Sequence, residues 1–283
     1  MRSRLIPRGL LYFALSVLCL CAGTARAGEV RVVENLTYKA GENLSAYEQT
    51  RCKLDLYLPV GVESFPAMLW FHGGNITAGD KDQGIQTGVG RSLAARGIAV
   101  AVVNYRLSPQ VSFPAYIDDA AASVAWVLEH ISGYGGDPAR VFVSGHSAGG
   151  YLAAMAVLDA TYLKALGHGP GELAGMIPIS GQMVTHTTVR NERGQPETQP
   201  VVDEAAPLFH VNAAAPPWLA IAGSEDLPAR PEENRYFVAA LKAVGHTDVN
   251  YLEFEGRNHG TIVSRIPEEG DPVAQAIIDF INR

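Results

Sequence analysis

A serine with a glycine two places to either side, in Gly145-His146-Ser147-Ala148-Gly149, carries the first chemical signal in this sequence. The apolar, β-branched run Val141-Phe142-Val143 leads into it, and a helix-compatible run from Tyr151 to Leu158 follows. In such a strand-turn-helix setting the serine of a G-x-S-x-G pentapeptide takes a strained backbone conformation, and its hydroxyl stands above the sheet edge. A Cβ at either flanking glycine would strike the adjoining strand or helix. Ser147 is therefore the candidate nucleophile. The plain alternative, a solvated serine in a glycine-rich connection, requires none of the partners described next.

A serine hydroxyl is too weakly acidic to attack an acyl carbon unaided, so it needs a base, and the base needs a carboxylate to orient it. His259, in Gly256-Arg257-Asn258-His259-Gly260, follows the apolar run Val249–Phe254 and so leaves the same end of a sheet as Ser147. His246 precedes that run, which places it at the opposite end, and is read as a solvated turn residue. The chain order serine, acid, histidine puts the carboxylate in Gly223-Ser224-Glu225-Asp226, after the run Trp218–Ala222. Asp226, the fourth residue past that run, is preferred over Glu225, whose side chain would point another way. Asp203 and Asp248 are read as surface charges.

The negative oxygen of a tetrahedral intermediate must meet fixed N–H donors. Ala148, next after the nucleophile, supplies one; His72-Gly73-Gly74-Asn75, after the third strand, supplies the other from Gly73 or Gly74. Consecutive glycines let backbone N–H groups turn inward. His72 is read as a scaffold residue within that loop and His146 as packing. Zinc spacings, a P-loop and a dinucleotide fingerprint are all missing from the sequence, so no metal or cofactor is expected. Asn35-Leu36-Thr37 and Asn75-Ile76-Thr77 match a glycosylation pattern short enough to arise by chance.

The elements that must position these residues read as an α/β pattern. Strand-like runs lie at Val30–Tyr38, Lys53–Leu58, Ala67–Phe71, Ile98–Val103, Arg140–Val143, Gly175–Ile179, Trp218–Ala222 and Val249–Phe254. In the second, Leu54, Leu56 and Leu58 alternate with Lys53, Asp55 and Tyr57, which predicts a half-exposed antiparallel edge. Helical patterns run over Gln86–Arg96, Ala115–Ile131, Ser147–Asp159, Glu232–Val244 and Pro272–Ile281. The count predicts eight strands, mostly parallel, in one sheet with helices on both faces. The polar stretch 181–206 interrupts this rhythm and is read as a small cap or lid, with a disordered excursion as the alternative.

Met1-Arg2-Ser3-Arg4 with Arg8, an apolar stretch from about Gly9 to Ala22, and Ala25-Arg26-Ala27 describe a signal peptide cleaved after Ala27. The domains expected are thus 1–27 as leader and 28–283 as one α/β unit. The apolar stretch is shorter than the roughly 20 residues a membrane span needs. No stable membrane insertion is expected after cleavage, and a secreted or periplasmic location follows. Residues 1–27 hold four arginines and no acid; without them 18 basic residues face 29 acidic ones, a net of about −11. That acidity argues against nucleic acid as a partner. Cys52 alone would remain of three cysteines and is read as a buried, inert thiol.

The chain resembles the α/β-hydrolase superfamily, and within it the esterase/lipase group whose oxyanion loop begins His-Gly-Gly. The matching residues are Leu54 to Pro59, His72-Gly73-Gly74, Asn104-Tyr105-Arg106-Leu107, Asp137 to Val141, Gly145 to Gly150, Gly223 to Asp226, and His259. The resemblance implies hydrolysis of carboxylic esters through an acyl-enzyme, with Ser147, Asp226 and His259 as a triad. It is similar to bacterial feruloyl/acetyl-xylan esterases and carboxylesterases, which points to a small-molecule or carbohydrate-linked ester as substrate. It is also similar to kynurenine formamidases, so an arylformamidase or peptidase-like amide hydrolase is the alternative. A non-catalytic binding module is the remote one. Asn75 stands where hormone-sensitive-lipase-like esterases carry a third glycine, and little sequence precedes the sheet for their larger helical cap; both departures favour a shallow or open pocket.

Overall fold

The computed structural model describes residues 28–283; the expected leader, 1–27, lies outside the described residues. Within these, strands and helices follow in the order β1 (Val30–Thr37), α1 (Ala46–Arg51), β2 (Lys53–Pro59), β3 (Phe65–Phe71), α2 (Gly84–Ala94), β4 (Ala99–Val103), α3 (Ala115–His130) and β5 (Gly136–His146). The chain continues through α4 (Ala148–Leu158), α5 (Ala160–Lys164), β6 (Gly175–Ile179), α6 (Thr187–Glu192), β7 (Trp218–Glu225), α7 (Arg230–Ala243), β8 (Val249–Asn258), α8 (Thr261–Ser264) and α9 (Pro272–Ile281). The sheet order is β1-β2-β4-β3-β5-β6-β7-β8; β2 runs antiparallel to both its neighbours and the other pairs are parallel.

Successive side chains of a strand point to opposite faces, so a strand that is apolar throughout must be covered on both. In β3, Phe65, Ala67, Leu69 and Phe71 enter one core while Met68 and Trp70 enter the other. The first core is closed by α3, α4, α5 and α7, the second by α2, α8 and α9. Every residue of α4 is buried, as expected of a helix apolar on all sides.

The chain leaves β3 for β4 on one side and then crosses to β5 on the other. This reversal opens a crevice at the carboxyl ends of β3 and β5, where ligands of open α/β sheets bind. The loop starting at His72 and the turn holding Ser147 both face that crevice.

The expected half-exposed edge at β2 is corrected: β1 covers it, and every β2 residue after Lys53 is buried. Asp55 pairs there with the Lys81 ammonium at 2.9 Å, and Tyr57 packs on Gly90 of α2. The alternation came from a buried ion pair and an aromatic ring rather than from solvent. Cys52 is buried, and burial pushes its thiol up to about 12.

Candidate active site

Three strands of sequence-distant origin deliver the site. Ser147 sits between β5 and α4 with φ 55° and ψ −118°, a conformation that side chains other than glycine's rarely adopt. The glycines around it explain how so sharp a turn fits. A Cβ on Gly149 would lie 2.0 Å from the Phe71 carbonyl oxygen, and one on Gly145 2.5 Å from the backbone of Gly149. The Ser147 amide is held by Ile179 O of β6 at 2.9 Å, which anchors the turn to the neighbouring strand.

His259 leaves the end of β8, and its Nε2 stands 2.9 Å from Ser147 Oγ. Its Nδ1 stands 2.6 Å from Asp226 Oδ1, where Nδ1–H donates to the carboxylate. Asp226 follows β7 directly, because that strand runs on to Glu225 and is longer than the sequence pattern indicated. Glu225 is exposed and makes no such contact. Burial alone would raise the Asp226 carboxyl, but hydrogen bonds from His259, the Ser180 hydroxyl and the Leu227 amide outweigh it and hold the group down at about 2. It is a carboxylate at neutral pH.

Ser180 was not singled out from sequence, although it is the residue next after β6 and so shares the rim with Ser147, Asp226 and His259. The loop it opens is fixed by the first turns of α7. Arg230 Nη1 donates to Ser180 O at 2.6 Å, Asn234 Nδ2 to Gly181 O at 2.9 Å, and Glu233 accepts the Val184 amide at 2.7 Å. Nothing in sequence spacing links these residues, which lie about fifty positions apart.

His72 and Gly73 begin the loop opposite the serine. His72 is buried, stacks on Tyr105 at 4.3 Å between ring centres, and donates from Nδ1 to Gly73 O at 2.7 Å. Burial holds this imidazole down at about 4, so it stays neutral and its Nε2 can accept from Arg51 Nη2 at 3.4 Å. Gly73 lies against the turn: a Cβ there would meet His146 and Ser147 Cβ at 3.2–3.3 Å. Among the described residues no protein acceptor takes the N–H of Gly73, Gly74 or Ala148. Asn75 has φ 55°, and asparagine is among the few residues that tolerate the left-handed region, so it can stand in a position suited to glycine.

Two other histidines weighed from sequence, His146 and His246, hold backbone carbonyls. His146 Nε2–H donates to the His259 carbonyl at 2.9 Å. His246 lies at the opposite end of the sheet, yet the solvated reading is corrected: it is 6% exposed and donates to the Ala215 and Pro216 carbonyls. Asp203 pairs with Arg193 and Asp248 with Arg283. The segment 181–206 carries α6 and packs on the body of the domain. Glu192 accepts from the Phe113 amide at 2.9 Å, and Tyr151 of α4 donates to Ala205 O at 2.8 Å.

A mixed eight-stranded sheet with a serine at the turn after β5 and its partners at the ends of β7 and β8 has the α/β-hydrolase architecture. Residues 54–169 match the BD-FAE family model. Esterase LipC of Mycobacterium tuberculosis is 31% identical over 77% of this chain and 57% of its own length. The isoprenylcysteine alpha-carbonyl methylesterase ICME of Arabidopsis thaliana is 29% identical over 83% of this chain and 60% of its own. The chain thus spans little more than half the length of the curated relatives it matches. An esterase from Pyrobaculum calidifontis superposes with a TM-score of 0.66 at 25% identity, covering 91% of this chain and 87% of that one. A truncated carbohydrate esterase from gut microbiota superposes at 0.73, with 19% identity over 89% and 95%. The chain belongs to the α/β-hydrolase superfamily, in its esterase/lipase group.

Proposed function

We propose that the protein hydrolyses carboxylic esters by acyl transfer through Ser147. The observation that carries this reading is the unbroken line from Asp226 Oδ1 through His259 to Ser147 Oγ, at 2.6 and 2.9 Å. Ser147 Oγ attacks the acyl carbon as His259 Nε2 takes its proton, and Asp226 holds the imidazole in the required tautomer and stabilises the imidazolium. The oxyanion forms against the N–H groups of Gly73 or Gly74 and Ala148, each worth about 3–4 kcal/mol of barrier. The start of α4 adds a favourable dipole there. His259 then protonates the leaving alcohol, and a water activated by the same imidazole releases the acid from the acyl-enzyme. None of these steps calls on a metal or cofactor.

The substrate is proposed to be a small-molecule or carbohydrate-linked ester, in keeping with the ester-cleaving names of the relatives. Purified protein beginning at Gly28 is expected to turn over p-nitrophenyl acetate, and Ser147→Ala to abolish that turnover while leaving the fold intact. Longer acyl chains, feruloyl esters and acetylated xylan then rank the acyl and alcohol groups. N-formylkynurenine cleaved faster than every ester would move the reading to an amide hydrolase on the same residues.

Export is part of the proposal, resting on the basic start, the short apolar stretch and Ala25-Arg26-Ala27. Protein recovered from the periplasm or medium is expected to begin at Gly28 on N-terminal sequencing. Among the described residues no helix is long and apolar enough to cross a membrane.

A further inference from the structure

A trans peptide points its C=O and the following N–H in opposite directions, so fixing a carbonyl also fixes where the next N–H is aimed. From His72 to Ile76 every carbonyl of the oxyanion loop is held. His72 O accepts from the Tyr105 hydroxyl at 2.8 Å, and Gly73 O from His72 Nδ1–H at 2.7 Å. Gly74 O accepts from the amides of Thr77 and Ala78 at 3.0 and 2.9 Å, and Ile76 O from the Ser108 amide at 2.9 Å. Asn75 O accepts from the Thr188 hydroxyl. Thr188 is the one donor in this set that comes from the 181–206 segment; the others belong to the loop itself or to residues 105–108.

Asn75 and Ile76 have φ of 55° and 60°, and Ile76 is β-branched and fully buried. Two successive left-handed residues persist only where their surroundings over-determine them. Thr188 is itself well placed to do this. Its amide donates to His186 Nδ1 at 3.1 Å, and the His186 ring lies against that of Tyr151 on α4, 4.9 Å between centres. The hydroxyl therefore ties the oxyanion loop to the helix that begins at the nucleophile.

From this geometry we infer that Thr188 is a positioning residue, which clamps the Asn75–Ile76 peptide and so keeps the two strained residues from relaxing and drawing the preceding Gly73 and Gly74 donors off the oxyanion; the inference rests on the esterase reading above. It acts through the Asn75 carbonyl and touches no substrate atom. Its loss frees the 75–76 peptide, the strained Asn75 relaxes, and the change in its backbone shifts Gly74 and Gly73 just before it. Ground-state binding changes little, because the charge they meet develops only in the transition state.

Thr188→Val removes the hydroxyl at nearly constant volume, and Thr188→Ser restores it. On p-nitrophenyl acetate, Thr188→Val is expected to lower kcat on the order of tenfold with KM within about twofold, since displacement of a preorganised group by a fraction of an ångström has effects of that size. Thr188→Ser is expected to stay within about threefold of wild type. A trifluoromethyl ketone, which forms the oxyanion on Ser147, should lose affinity by the same factor as kcat/KM. Wild-type kcat in Thr188→Val, a serine variant as slow as the valine one, or a rise confined to KM each overturns the inference. Thr188→Ala gives the same reading should valine fail to fold. The rate at which a fluorophosphonate labels Ser147 probes the same N–H groups without acyl specificity. A wild-type protein inactive on every ester therefore defeats the esterase reading, while an unchanged labelling rate in Thr188→Val defeats this one.

Discussion

His146 donates its Nε2–H to the main-chain carbonyl of His259 at 2.9 Å, and the two imidazoles lie 4.6 Å apart between ring centres. The residue before the nucleophile thus also holds the loop that carries the base. Burial pushes His146 down to about 3, so it remains a neutral donor throughout the pH range of esterase assays. His146→Leu keeps apolar bulk but leaves that carbonyl unheld. Steady-state kinetics are expected to show kcat reduced by about tenfold, the size of one lost hydrogen bond of 1–1.5 kcal/mol.

The strained backbone of Ser147 makes a separable claim about stability. Glycine adopts φ 55°, ψ −118° without a Cβ clash, and relief of about 1–3 kcal/mol exceeds its extra unfolded-state entropy of about 0.5–1 kcal/mol. Ser147→Gly is therefore expected to abolish activity while raising Tm by roughly 2–4 °C in a calorimetric scan. A Tm below wild type would show that the turn is not strained.

Asp226 and Glu225 are neighbours with different surroundings, and substitution should separate them. Asp226→Asn is expected to lower kcat on the order of 10⁴-fold, as the imidazole loses its tautomer and its counter-charge. Glu225→Gln, at an exposed side chain, should fall within about twofold of wild type in the same assay. Ser180→Ala removes one of the hydrogen bonds that hold the Asp226 carboxyl at about 2. A depressed carboxyl contributes stability above its usual 3.8 that is lost as pH falls toward 2, and acid unfolding followed by fluorescence should begin at higher pH in that variant.

Two other histidines govern behaviour at milder acidity. His72 and His186 are buried, and burial holds them at about 4 and about 3, below their usual 6.5. The unfolded chain takes up these protons first, so their contribution is complete above about pH 6.5 and declines as pH falls toward the folded values. Urea denaturation at pH 7 and pH 5 is expected to differ by roughly 2 kcal/mol for each of them. His186→Asn retains a side chain able to cap α6 but does not titrate, and should remove one such increment.

How far the sequence revealed this arrangement depended on whether a signal was local. The turn at Ser147 was legible because strand, glycines and helix are contiguous, and His259 because a polar residue directly follows an apolar run. Asp226 was legible for a less secure reason: β7 extends to Glu225, so its position just past the strand, rather than four residues on, is what presents it. The burial of β2 was not legible, since a lysine 26 positions away supplies the partner of Asp55. Composition marked 181–206 as unusual but concealed α6, a six-residue helix opening with two threonines of low helical propensity. Its hydrogen bond to Asn75 spans 113 positions and has no sequence signature.

Asp226 and His259 leave adjoining parallel strands, β7 and β8, whereas Ser147 leaves β5, with β6 intervening. A tilt of that flank carries acid and base together as one piece and alters only their separation from the alcohol oxygen. The Nε2–Oγ gap is therefore the one that a movement of this flank alters, and the His146–His259 contact is the tie that spans it.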